Sequence, residues 1–128
     1  MNTDPIADYL TRIRNASKAK HSITRVPYSR LKEDISKVLV EKNFLEKYEV
    51  KQAGDFKEIE ITLKDWAIEP MSIKRVSKPG QRIYVKTKDI KAVKSGLGML
   101  VLSTSKGIMT GEQARKNKLG GEAICEIY

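Results

Sequence analysis

The side chains able to do acid–base, nucleophilic or metal chemistry are few in this 128-residue chain and poorly grouped for it. His21 is the single histidine and Cys125 the single cysteine, so no internal disulfide and no ordinary structural zinc pattern can form, and a reducing, cytoplasmic setting is expected. The acids Asp4/Asp8, Glu58/Glu60 and Glu122/Glu126 are spaced to share a helix or strand face. None stands in a metal-binding loop or in a general acid–base motif, and each pair reads as surface solvation. Cys125 alternates with Ala123 and Ile127 in a strand-like segment, which makes it a small core hydrophobe, not a nucleophile. Gly96-Leu97-Gly98 lacks the third glycine of a dinucleotide loop, and Lys106-Gly107 is not the phosphate-loop order. The expectation is a chain with no catalytic residue, no metal, no cofactor and no small-molecule substrate. A nuclease, the enzyme class that would share its basic charge, is left without machinery.

Binding chemistry is better represented. The chain has 25 Lys and Arg against 16 Asp and Glu, a formal charge of +9, with pI ≈ 9.7, and polyanions are the natural partners of such an excess. The cations are not spread evenly. Residues 12–32 hold Arg12, Arg14, Lys18, Lys20, Arg25, Arg30 and Lys32 without an acid, and residues 71–94 hold eight cations against Asp89 alone, so two separate basic surfaces are expected. In the first, Arg14, Asn15 and Ser17 near a helix end and Arg30 at the start of the next helix could grip a nucleic-acid backbone; the alternative is ordinary helix-surface charge. In the second, Lys78 sits in a turn, and Arg82, Tyr84 and Lys86 alternate onto one side of an extended segment. That aromatic-between-cations arrangement can stack a base, although a core tyrosine fits the pattern equally. A third group, Ser103-Thr104-Ser105-Lys106-Gly107, combines short hydroxyls, a phosphate-seeking cation and a glycine that permits close approach; a solvated turn with local side-chain-to-backbone bonds is its alternative.

These residues must be held by elements that the sequence also marks. Thr3 is a candidate N-cap, Pro5 is tolerated in the first turn, and Ile6, Tyr9, Leu10 and Ile13 form one apolar stripe of a first helix closed by Asn15-Ala16-Ser17. Ser22 to Val26 reads as a strand. Ser29 caps a second helix bearing Leu31, Ile35, Val38 and Leu39 and ending near Asn43. Phe44 to Val50 and Lys57 to Leu63 read as a hairpin through Ala53-Gly54-Asp55. The pattern loosens from Lys64 to Pro70, where a boundary between subdomains 1–64 and 65–128 is expected, with Trp66 packed beside it. Beyond it, Ile73 to Val76 and Arg82 to Lys86 suggest a second hairpin about Lys78-Pro79-Gly80. Met99 to Leu102 suits a strand buried on both faces, and Thr110 with Gln113 forms a capping box for a short helix. Gly111 opens that helix at a cost of up to about 1 kcal/mol relative to alanine. Gly120-Gly121 leads into a last strand, Glu122 to Tyr128. The fold class expected is α+β, with an N-terminal α-β-α-β-β subdomain packed with a C-terminal one that is mostly antiparallel β with one short helix. The opening has no basic start followed by an apolar stretch, so no signal peptide is expected, and no run reaches the roughly 18 apolar residues of a membrane span.

Ser103-Thr104-Ser105-Lys106-Gly107-Ile108-Met109-Thr110, continued by Glu112, Ala114-Arg115, Leu119-Gly120-Gly121-Glu122 and Cys125, closely resembles the signature of a bacterial small-subunit ribosomal protein family, the eighth in the subunit's naming. Asp4-Pro5-Ile6-Ala7-Asp8, Leu10 to Ala16 and Ile73 to Gly80 are similar to two further motifs of that family, so the resemblance spans the chain; it is poorest over Glu41 to Lys64 and at Gly111. It implies binding to a helix in the central domain of 16S ribosomal RNA, an early role in assembling the 30S platform, contact with neighbouring ribosomal proteins, and a place in the cytoplasmic ribosome. In some members it also implies repression of the messenger RNA of their own operon. The Ser103–Gly107 loop would then be the specific contact and Lys106 a phosphate contact. A-form RNA hides its base edges, so a protein reads its shallow minor groove, 2′-hydroxyls and bulged bases, to which short hydroxyls are suited. A free regulatory binder of DNA or messenger RNA is the competing class, told apart by tolerance of 2′-hydroxyl loss.

Overall fold

The computed structural model describes residues 5–64, 72–90 and 98–128. Thr3, Trp66 and Gly96-Leu97 lie outside them. The chain divides into two compact units, Pro5–Met71 and one formed mainly by Ser72–Tyr128, and the fold is α+β with two antiparallel sheets.

The first unit runs α1 (Pro5–Lys18), β1 (Ile23–Pro27), α2 (Arg30–Glu41), β2 (Leu45–Ala53) and β3 (Phe56–Leu63), the element order expected. Its sheet has the order β1-β3-β2. One face, bearing Val26, Ile59 and Ile61, is buried with Tyr9, Leu10 and Ile13 of α1 and Ile35 and Leu39 of α2. Each such apolar side chain contributes about 1.5–3 kcal/mol on leaving water. The apolar stripe of α2 is rotated from the expected one. Leu31 is exposed, while Lys32 and Ser36 are buried. Ser36 Oγ donates to the Lys32 carbonyl at 2.8 Å and is bonded to the Tyr9 hydroxyl, and Lys32 Nζ donates to the Pro27 carbonyl at 3.2 Å. Polar groups can occupy that face because each finds a partner there. Ser29 caps α2 by accepting from the Lys32 N–H at 3.2 Å.

The second unit runs β4 (Ile73–Arg75), β5 (Tyr84–Val85), a 3₁₀ turn (Thr87–Asp89), β6 (Met99–Thr104), β7 (Gly107–Thr110), α3 (Gly111–Lys116) and β8 (Gly121–Ile127). Its sheet has the order β4-β8-β6-β7, with β5 also on β8. Two expectations are corrected here. The segments flanking Lys78-Pro79-Gly80 do not pair with each other. Both lie antiparallel to β8, Ile73 opposite Ile127 and Tyr84 opposite Glu122, so they form one edge strand interrupted by a loop. The turn signal was real, since the Lys78 and Gln81 backbones bond each other at 3.0 Å, but Ser77 decides the loop's closure. Its buried hydroxyl accepts from the Ile83 N–H at 2.8 Å and donates to the Ile83 carbonyl at 3.2 Å. Second, Ser103 and Thr104 end β6 and Gly107 starts β7, its antiparallel partner, so only Ser105 and Lys106 of the expected Ser103–Gly107 loop connect the strands. The core on one side of this sheet is Ile90, Leu102, Ala114 and Ala123.

The capping box at Thr110 and Gln113 is formed. Gly111 is buried, and a Cβ there would meet Ile90 Cγ2 at 3.1 Å, which accounts for glycine at a helix start. All three α-helices among the described residues end with a residue in the left-handed region, Lys20, Asn43 and Lys118, followed by a 6→1 backbone bond such as His21 N–H to the Ala16 carbonyl at 2.9 Å. The first helix therefore extends past Ser17 to Lys18.

Candidate nucleic-acid interface

The hydroxyl loop becomes a tight hairpin connection. β6 runs to Thr104, Ser105 and Lys106 form the exposed turn, and Gly107 with φ +111° starts β7. That backbone is left-handed territory which disfavours any side chain. The three hydroxyls have separate fates. Thr104 Oγ1 donates to the Gly107 carbonyl at 2.8 Å and accepts from the Lys106 N–H at 3.1 Å, so it is committed to shaping the turn. Ser105 and Lys106 project at the exposed tip, and Ser103 is half-buried on the strand.

Register links Ser103 to the other residues of this unit. Ser103 stands opposite Ile108 on one side and Glu122 on the other, and Glu122 stands opposite Tyr84. Directly opposed residues share a face, so Tyr84, Glu122, Ser103 and Ile108 form one row across β5, β8, β6 and β7. Tyr84 is 71% exposed, which removes the core-tyrosine alternative. Arg82 is held at 3.3 Å from both Glu122 oxygens, beside the tyrosine. Lys86 and Lys78 are also exposed. The sequence reading missed Glu122 as the group that anchors Arg82; an acid after two glycines carries no signal until β5 is laid against β8. Close approach makes the row possible: a Cβ on Gly121 would fall 2.2 Å from the Ser103 carbonyl oxygen, so Gly121 lets β8 sit against β6 where the hydroxyls emerge.

In the first unit the predicted residues divide. Asn15 and Arg30 are exposed and Arg14 is half-buried. Ser17, at 3% exposure, lies on the buried side of α1 and is not displayed as expected. The acid-free run 12–32 is also less basic in space than in sequence. Arg12 pairs with Asp8 at 3.1 Å, Arg25 pairs with Glu60 at 3.1 Å and Glu58 at 3.7 Å, and Lys32 is buried. The basic surface expected there is reduced to the cations that remain, among them Lys18, Lys20 and Arg30, because Asp8, one helical turn back, meets Arg12 and antiparallel pairing brings β3 acids opposite Arg25.

Nothing in the described residues offers catalysis. No group of three or more His, Cys, Asp or Glu is placed to hold a metal among them. Cys125 is buried, and burial pushes its thiol up to about 12, far from a nucleophile's range. No described helix is long and apolar enough to cross a membrane.

Comparison with known proteins identifies the family. A sequence model described as "Ribosomal protein S8" matches residues 4–128. Among similar proteins, the "Small ribosomal subunit protein uS8" of Nitratidesulfovibrio vulgaris is 48% identical over 130 residues, covering 100% of both chains. That of Christiangramia forsetii is 46% identical, again over 100% of both, and that of Chlorobaculum tepidum is 47% identical over 98% of both. With the signature loop, the capping box and the closing strand all in the matched span, the chain belongs to the ribosomal protein S8 family.

Proposed function

We propose that this chain binds the central domain of 16S ribosomal RNA through the row Tyr84–Glu122–Ser103 and the β6–β7 tip, and that it helps assemble the platform of the small subunit. As a family member it is a non-enzymatic constituent of the small ribosomal subunit. The observation that carries the finer reading is the exposed tip itself. Thr104 spends its hydroxyl on the turn, so Ser105 and Lys106 are presented on a braced strand end. Such a tip suits the shallow groove, 2′-hydroxyls and bulged bases of RNA. Tyr84 supplies a ring for an unstacked base, and Arg82 is held beside it by Glu122. Lys106, Lys78 and Lys86 add phosphate contacts that carry affinity without sequence information. Asn15, Arg14 and Arg30 form a second contact zone in this reading, without Ser17. The division of labour between residues 1–64 and 65–128 follows: specificity from the second, additional grip from the first.

The test is a titration against a central-domain RNA fragment, its DNA analogue and an unrelated duplex RNA, each at two salt concentrations. The cognate RNA should win by orders of magnitude. Equal binding to all three would reduce the chain to a nonspecific basic protein in isolation and overturn the reading. Repression of its own messenger rests on the family resemblance alone and would appear as competition between that messenger and the ribosomal fragment.

A further inference from the structure

The two edges of the β1-β3-β2 sheet are treated differently. Backbone bonds from the Tyr28 N–H to the Lys57 carbonyl and from the Leu63 N–H to the Ser22 carbonyl show that odd-numbered β3 residues face β1. With the observed register, the groups of Ile23, Arg25 and Pro27 then point out of the β1 edge. That edge is blunted. Pro27 has no N–H, its carbonyl accepts from Lys32 Nζ at 3.2 Å, and the Arg25 carbonyl accepts from Arg12 Nη1 at 3.1 Å. Proline and edge-capping cations are the devices that prevent another strand from adding.

The β2 edge has no such protection. Lys47, Glu49 and Lys51 face β3, so Tyr48, Val50 and Gln52 turn three N–H and three carbonyl groups outward. Among the described residues, no side chain or backbone group bonds them. Residues 49–53 are exposed, and Val50 retains 39% of its surface. The side chains around this edge argue against RNA as its occupant. On the sheet's outer face Arg25, Lys47 and Lys51 interlock with Glu49, Glu58 and Glu60, three charges of each sign. A chain of net +9 therefore carries here a patch without net positive charge, unsuited to phosphate. Phe56 beside the hairpin tip, 78% exposed, adds apolar surface.

We propose that the β2 edge is a docking strand for an extended segment of another small-subunit protein, added by backbone pairing at Tyr48, Val50 and Gln52. Alternating outward donors and acceptors are complemented by an extended polypeptide and not by a nucleic-acid backbone. The segment carries apolar residues opposite Tyr48 and Val50, and neutral polar ones opposite Lys47 and Lys51, whose charges Glu49 and Glu60 already meet. The inference uses the family assignment and not the RNA-binding role of the β6–β7 tip, so the two fail separately.

Amide hydrogen exchange of the full chain tests it in three states: free, bound to the central-domain RNA fragment, and within small subunits reconstituted from RNA and proteins. In the free and RNA-bound states the amides of Tyr48, Val50 and Gln52 exchange fast while those of Lys47, Glu49 and Lys51 are protected. In the subunit the first three slow by at least about tenfold. Protection by RNA alone, or protection in the free chain that grows with its concentration, overturns the proposal in favour of an RNA or a second copy. Unchanged exchange in the subunit overturns it outright. Val50→Pro removes one outward N–H and is tolerated at a strand edge; it abolishes the subunit-specific protection at Tyr48 and Gln52 and leaves RNA affinity within about twofold. If that variant does not fold, the wild-type comparison still decides.

Discussion

Two adjacent hydroxyls in the signature loop are placed differently, one bonded within the turn and one exposed, and substitution separates them. Ser105 is exposed at the tip, so Ser105→Ala should cost about 1–3 kcal/mol of cognate-RNA affinity, read by titration, with no change in thermal unfolding. Thr104 makes both a donated and an accepted bond within the turn. Thr104→Val should instead lower folding stability by about 1–2 kcal/mol, read in a urea melt, and weaken RNA binding only through the loosened turn. Equal effects of both changes on affinity at unchanged stability would show that Thr104 also touches RNA. The sequence marked the cluster as polar and close to glycine but could not distribute its bonds, because which hydroxyl folds back depends on the turn that β7 closes.

At the scale of elements, the strand packing depends on a glycine and the helix ends tolerate lysines. Gly121→Ala would place a Cβ 2.2 Å from the Ser103 carbonyl oxygen. The strands must part, so stability should fall by about 2–3 kcal/mol in a denaturant melt, and RNA affinity should fall with it as the Tyr84–Glu122–Ser103 row is distorted. Conversely, Lys20 and Lys118 occupy the left-handed position that glycine prefers at a helix end. Lys118→Gly should raise the melting temperature, corresponding to roughly 0.5–1 kcal/mol. The left-handed caps at Lys20 and Lys118 were invisible in the sequence, whereas Asn43, near which the second helix was expected to end, carries the usual signal.

For the whole molecule, charge sets the predictions. Lys106→Ala should reduce the magnitude of the salt slope of RNA binding by about one, while leaving the preference for cognate over unrelated RNA in place. Stability should decline under alkaline conditions. Burial pushes the Cys125 thiol up to about 12 from an ordinary value of 9.0. Below the unfolded value both states hold the proton and the contribution is complete. Between about 9 and 12 the unfolded chain releases it first, so the unfolded state is favoured as pH rises. Tyr28, raised by its bond to Glu33, and Lys51, raised by its bond to Glu60, act in the same direction, while desolvation lowers Lys32 and opposes them. Urea midpoints should fall between pH 9 and 11, and Cys125→Ala, though less stable at neutral pH, should show a shallower fall. An equal fall in the variant would remove Cys125 from the explanation.

The order of elements in the first unit, the capping residues Ser29 and Thr110, and the membership of the family were legible in the sequence by itself, because helix periodicity, caps and a contiguous signature are local properties. Strand partners, the alignment of Tyr84 with Glu122 and Ser103, and the neutralisation of Arg25 were decided only by tertiary structure. Each depends on residues far apart in the chain, as with Arg25 and Glu60 or Tyr84 and Glu122. Strand pairing turns a run of like charge in sequence into a balanced lattice in space, and no local pattern records which strands will meet.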